Sequence, residues 1–235
     1  MRKLTALLLA LALTLGLSAA FADTQITVTG SGEVLIPADV AVISLGVNVR
    51  SAEAPSAQAE ANEVIAKIRE ALTAAGIDEE DISTGYINLY AAYDYSSSVE
   101  RITGYNASST LAVKVTDMTR VGEVIDLAFG AGANMLDGVS FSAKDDTAAR
   151  AEALKAAVAD AKAKADVLAE AAGLGELEID SIAESGVYAY DSGTNNFSAK
   201  GMITEQAEDA ATVIRAAKIC VSASVTITYE AKQKD

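Results

Sequence analysis

One run of elements occurs twice in this chain. It consists of a short strand, an alanine-rich helix closed by glycine, and a strand ending in Ala-Tyr-Asp. In the later copy the first strand reads Gly138-Val139-Ser140-Phe141-Ser142, alternating as a half-buried strand does. Asp145, Asp146 and Thr147 follow, and each can accept from the free N–H groups of a first helical turn. Leu154, Val158, Ala161, Ala165 and Leu168 then recur at three- and four-residue spacing, which predicts one apolar helix stripe. Alanine elsewhere lets this helix lie close to what it covers. Asp160 and Lys164 form an i,i+4 pair in the favourable order, and Gly173 closes the helix where a left-handed residue is needed.

The earlier copy runs from Gly46-Val47-Asn48-Val49 through Ala57-Gln58-Ala59-Glu60-Ala61 to Ala74-Ala75-Gly76, then to Ala92-Tyr93-Asp94. The later copy ends at Ala189-Tyr190-Asp191. The shared order predicts an α+β fold of two repeated β-α-β-β units, over about residues 38–116 and 134–230, in largely antiparallel sheet with helices on one face.

Arg2 and Lys3 precede the apolar run Leu4–Leu17, and Ala20-Phe21-Ala22 supplies a cleavage pattern before Asp23. Residues 1–22 are therefore expected to be a signal peptide, with an uncleaved anchor as the alternative. The apolar run is shorter than the ~20 residues a span needs, so no membrane insertion is expected after cleavage. Cleavage would remove two of 18 basic residues and none of 33 acidic ones, taking the net charge from −15 to −17. No basic cluster remains to neutralise phosphates, so nucleic acid and anionic membrane surfaces are poor partners.

Other strands and helices follow from local signals. Ile26–Ile36 and Asp39–Arg50 read as strands, with Gly30 and Gly32 marking a bulge or a close backbone approach. Gly30-Ser31-Gly32 is not a dinucleotide loop, because Leu35 stands at the third Gly position and a strand follows. Pro55 opens a helix whose apolar face is Val64, Ile65, Ile68 and Leu72. Asp78–Asp81 lacks the spaced ligands of a calcium loop and reads as a solvated turn. Ile82–Tyr95 and Ile102–Thr116 form a hairpin across Ser96-Ser97-Ser98. Met118–Gly132 is a short helix buried through Val121, Val124, Ile125 and Ala128. Met135–Ala143 and Leu177–Tyr190 are strands, Asp191–Ala211 is a polar excursion, and Ile219–Tyr229 closes the chain with one apolar and one polar face carrying Cys220.

The chain has no His, which excludes Ser-His-Asp and Cys-His catalysis and His-ligated zinc. No catalytic, cofactor-binding or metal-ligating set is expected. With one Cys, Cys220, no internal disulfide can form. Cys220 is the candidate redox residue, with Lys218 two positions away on its face; the alternative is a small residue on a covered sheet face. Tyr86, Tyr90, Tyr93, Tyr95 and Tyr105 cluster in the first hairpin, with Tyr188 and Tyr190 at the matching place in the second copy. Tyr90, Tyr93, Tyr95, Tyr188 and Tyr190 are the candidate contact or ligand residues, either stacking on a sugar or peptide or meeting another subunit. A pair of carboxylates for glycoside hydrolysis carries little weight, since an acidic chain always offers one.

Ile26-Thr27-Val28-Thr29-Gly30, Gly32-Glu33-Val34, Pro37, Asp39 and Ala41 open an ordered set of short matches. Gly76-Ile77, Asp81-Ile82-Ser83-Thr84, Ile102 through Ser108, Val121 through Asp126, Gly132-Ala133-Asn134, Val139 through Ser142, Glu152-Ala153-Leu154 and Lys164-Ala165 continue it. Together they resemble SIMPL-domain proteins from about Ile26 to Glu230. Ala38 is an insertion against that pattern, and Ala216-Ala217 stands where relatives often have Pro-Gly. The resemblance implies an exported periplasmic, surface or secreted α+β protein without an established enzymatic activity. It also implies homo-oligomers, as in periplasmic immunogenic relatives, and a link to oxidative stress defence. No catalytic residue is carried over, because the family defines none.

Overall fold

The computed structural model describes residues 24–94, 100–192, 212–216 and 218–233. The expected signal segment, the Ser96–Ser98 turn, Tyr95 and residues 193–211 of the polar excursion lie outside the described residues. The described elements are β1 (Thr24–Pro37), β2 (Val40–Ser51), α1 (Ala54–Ala74), β3 (Ile82–Asp94), β4 (Arg101–Val115), α2 (Val121–Gly130), β5 (Met135–Ser142), α3 (Thr147–Ala172), β6 (Leu174–Asp191) and β7 (Lys218–Gln233). Single 3-10 turns at Glu79–Asp81 and Met118–Arg120 precede β3 and α2.

The strands form two sheets, ordered β3-β4-β2-β5 and β1-β7-β6. Each pairing in the larger sheet is antiparallel. In the smaller sheet the hydroxyl pairs Thr27–Thr228 and Thr29–Thr226 run in opposite directions along β1 and β7, the mark of an antiparallel pair. The α+β class is as the sequence predicts. The repeated order is present as β2-α1-β3-β4 and β5-α3-β6-β7. Pairing adds what order could not show: β5 joins β2, and β1 takes the place beside β7.

The chain divides into two compact units, the first holding the described residues of Glu33–Ala153 and Val187–Ala223. Here Pro55 sits in the first turn of α1, where its missing N–H costs nothing. The helix buries Ala57, Ala61, Ile68 and Leu72 against β2 and β4, which supply Ile43, Leu45, Val47, Leu111 and Val113 at 0–2% exposure. Each such Leu or Ile is worth about 1.5–3 kcal/mol of burial. Val64 and Ile65, expected on this face, are partly buried beside Val47 and Ala61. α2 buries Val121, Val124, Ile125 and Ala128, as expected. Asn134 continues the β5 ladder with its side chain: Asn48 N donates to Asn134 Oδ1 at 2.7 Å, and Asn134 Nδ2 donates to Asn48 O at 2.9 Å.

The second unit holds the described residues of Met1–Gly32, Leu154–Gly186 and Ser224–Asp235. Ile26, Val28, Val225, Ile227 and Tyr229 are buried on one face. A Cβ on Gly30 would lie 2.0 Å from Ala157 O and 2.7 Å from Ala161 Cβ, so the backbones of β1 and α3 are nearly touching. That closeness corrects the expected helix stripe. The buried α3 residues of this unit are Ala157, Ala161, Ala165 and Ala169, strictly four apart. Leu154 is half-buried, while Val158 and Leu168 are 37% and 49% exposed. Only the smallest side chain fits between backbones in contact, so the larger residues turn to the flanks. Gly173 closes the helix at φ 69°, as predicted.

Candidate functional site

β3 is an edge strand whose side chains are exposed on both faces from Ser83 to Tyr90. Tyr90 and Tyr93 are 47% and 43% exposed, and Tyr86, Ile87 and Leu89 lie between 42% and 59%. Alternation explains the exposure on two sides: Ile87 and Leu89 oppose Ser109 and Ala107 of β4, whereas Asn88 and Tyr90 oppose Ser108 and Asn106. Gly85 and Tyr86 form a bulge opposite Thr110, whose Oγ1 accepts from Tyr86 N at 3.0 Å. A Cβ on Gly85 would meet that oxygen at 2.6 Å. The bulge is a feature the sequence reading missed; Gly85 inside a strand was its signal.

Tyr188 and Tyr190 stand on β6 at 66% and 49% exposure. The two tyrosine groups therefore occupy edge strands of different sheets. Tyr105 behaves differently and packs against the Val47, Ala57, Ala61 and Ala107 cluster. Cys220 is 4% exposed. Its hydrogen bond with Tyr190 raises the Tyr190 phenol above its usual pKa, and Cys220 and Glu33 charge acts in the same direction. Burial of Cys220 limits the access that thiol chemistry requires.

β1 carries a side-chain clamp. Asp160 Oδ2 accepts from Ser31 N at 2.8 Å and from Lys164 Nζ at 2.7 Å, and Lys164 Nζ donates to Thr29 O at 3.0 Å. The predicted i,i+4 pair thus does more than brace its helix. It occupies a backbone N–H and a backbone C=O of β1, groups that an added strand would need. The Lys164 hydrogen bond, followed by that of Ser31 N–H, holds the Asp160 carboxyl below its usual pKa.

Asp126 makes a second unexpected latch. Its carboxylate accepts from Thr212 N at 3.1 Å and from Thr212 Oγ1 at 2.5 Å. Gly122 leaves room for this segment, since a Cβ there would lie 1.9 Å from Thr212 O. Among the described residues no three Cys, Asp or Glu side chains are grouped to hold a metal ion. No described helix is long and apolar enough to cross a membrane.

A protein-family model described as SIMPL, protein of unknown function (DUF541), matches residues 26–229. The chain is 35% identical over 156 residues to a 26 kDa periplasmic immunogenic protein of Brucella melitensis, covering 64% of this chain and 62% of that protein. It is 29% identical over 145 residues to the uncharacterized protein YggE of Escherichia coli, covering 62% of this chain and 59% of that one. The matches thus span about three fifths of these relatives' length. The family model covers strands of both sheets and all three described helices, so the chain belongs to the SIMPL family.

Proposed function

We propose that the chain is an exported, non-enzymatic protein of the cell envelope that self-associates through the edge of β3. The observation that carries this is the composition of that edge. Ile82–Tyr93 contains no charged residue, yet Tyr86, Ile87, Leu89, Tyr90 and Tyr93 are all exposed. Proteins normally blunt a free edge with charge, proline or cover. β1 has its Asp160–Lys164 clamp and β6 has five acidic residues. Among the described residues, Ser83–Ala92 of β3 shows a bulge and no charged side chain. A second copy pairing along Ile87–Ala92 would gain backbone hydrogen bonds and cover the exposed apolar side chains. The extracytoplasmic reading draws on the periplasmic name of the Brucella relatives and on the leader-like residues 1–22. The link to oxidative stress comes from family resemblance, and peroxide sensitivity of a deletion strain tests it.

Light scattering behind a sizing column, on residues 23–235 with and without reductant, tests self-association. A discrete assembly that ignores reductant and dissociates in Leu89→Lys supports the β3 contact. A mass that collapses with reductant would make Cys220 the linker, and a monomer would overturn the proposal. The exposure of Tyr90, Tyr93, Tyr188 and Tyr190 favours a second reading, a sugar- or peptide-binding module. It requires a ligand-dependent rise in melting temperature that Tyr93→Ala and Tyr190→Ala abolish.

A further inference from the structure

The two faces of β6 differ in chemistry, and within the second unit both are open. Among the described residues β6 is paired only with β7, leaving its outer edge free. From Glu178 to Ser185 every residue is exposed, so the strand extends past the cover of α3. Successive side chains point to opposite faces. On the α3 side, Leu177 and Ile179 line a trough of about 630 Å³ with Val158 and Tyr229, and Ile179 is 56% exposed. The opposite face carries Glu176, Glu178, Asp180 and Glu184 at alternate positions, with Ile182 between the last two. Lys232 of β7 pairs with Glu178, which confirms the face on which this row lies.

We infer that the free edge of β6 takes an extended segment of another protein in which basic and apolar residues alternate. Strand addition supplies main-chain hydrogen bonds, while alternate side chains set specificity. The segment's basic residues would lie beside the acidic row, and its apolar residues would close the trough over Leu177 and Ile179. A second copy of this chain is the wrong occupant for this edge. Two β6 strands side by side would set acid against acid, and like charges directly opposite destabilise a pair. The inference is independent of the β3 contact.

The probe is a labelled synthetic peptide of about nine alternating Lys and Val residues, a typical strand length or slightly more, titrated into the full chain and followed by fluorescence anisotropy. Two peptides of the same length serve as controls: one alternating Glu and Val, the other holding the same Lys and Val in separate blocks. The alternating Lys/Val peptide should bind at least ten-fold tighter than either and slow amide exchange across Glu176–Glu184. The variant Asp180→Lys/Glu184→Lys should prefer the Glu/Val peptide, and Ile179→Lys should weaken Lys/Val binding at least ten-fold. Equal binding of the alternating and block Lys/Val peptides would reduce the effect to net charge and overturn the proposal. So would protection outside β6, or an unchanged preference in the charge-reversed variant.

Discussion

Gly30→Ala tests how closely β1 and α3 approach. The added Cβ would start 2.0 Å from Ala157 O and 2.6 Å from Ala161 N. Carbon and carbonyl oxygen come no nearer than about 3.3 Å even in favourable C–H···O contacts, so helix and strand must part by roughly 1 Å. Both obstacles nearest the new carbon are backbone atoms, and neither can move by rotating a side chain. Overpacking of this kind costs about 1–3 kcal/mol, occasionally more. Replacing Gly by Ala also restrains the unfolded chain, which offsets about 0.4–1 kcal/mol. The expected net loss is about 1.3 kcal/mol, read by urea unfolding of residues 23–235 followed by circular dichroism. At about 2–4 °C per kcal/mol this lowers Tm by roughly 3–5 °C. Gly130→Ala is the control, because nothing stands within 4 Å of a Cβ there; near the end of α2 it should be neutral or stabilise by a few tenths of a kcal/mol. A Gly30→Ala loss below about 0.5 kcal/mol would refute the close approach, since that is the scatter of surface substitutions.

Other outcomes follow from the same geometry. Gly173→Ala should cost about 1 kcal/mol despite open space around it, because φ there is 69°, a region costly for residues with a Cβ. The Asp160 carboxyl lies below its ordinary pKa when folded, so the stability it contributes is full above the usual value of about 4 and is lost as pH falls through the folded value. Asp160→Asn should therefore flatten part of the acid limb of a stability–pH curve and leave the alkaline side unchanged. Asp126→Ala should speed amide exchange at Thr212 with little effect on global unfolding. Cys220 should react slowly with a thiol reagent in the native chain and faster in Tyr190→Ala; equal rates would show that Tyr190 does not shield it.

Much of the backbone was legible because local signals and tertiary demands coincide. Pro55, Gly76 and Gly173 punctuate helices where their backbone preferences require, and alternation marks β2, β5 and β7. The α3 stripe was right at Ala161 and Ala165 and misread at Val158 and Leu168, for a physical reason. Hydrophobic periodicity weights Leu and Val, whereas the buried positions were selected for smallness by a strand closer than a Leu side chain permits. Nothing in an alanine-rich window ranks Ala157 above Ala156 except the position of Gly30, and Gly30 is distant in sequence. The Asp160–Lys164 pair was visible as a helix pair, but its hold on Ser31 and Thr29 depends on the same long-range placement. The tyrosines were legible as a cluster, and their exposure followed from edge positions that only the pairing order reveals.

The joining of β1 to β7 bears on how the chain is made. Thr27 and Thr228, hydrogen-bonded to each other, are 201 residues apart. Closing so long a loop costs about 2 kcal/mol more entropy than closing one eight-fold shorter, and such non-local pairings fold slowly. At ribosomal rates of about 5–20 residues per second, β1 emerges roughly 10–40 s before its partner strand. Ile26 and Val28 then have no sheet to enter, and the Asp160–Lys164 clamp is itself more than halfway along the chain. The first strand made is among the last to be completed. A chain cut short before Ser224 therefore leaves β1 unpaired along Ile26–Gly30, even though the larger unit retains β2 through β5.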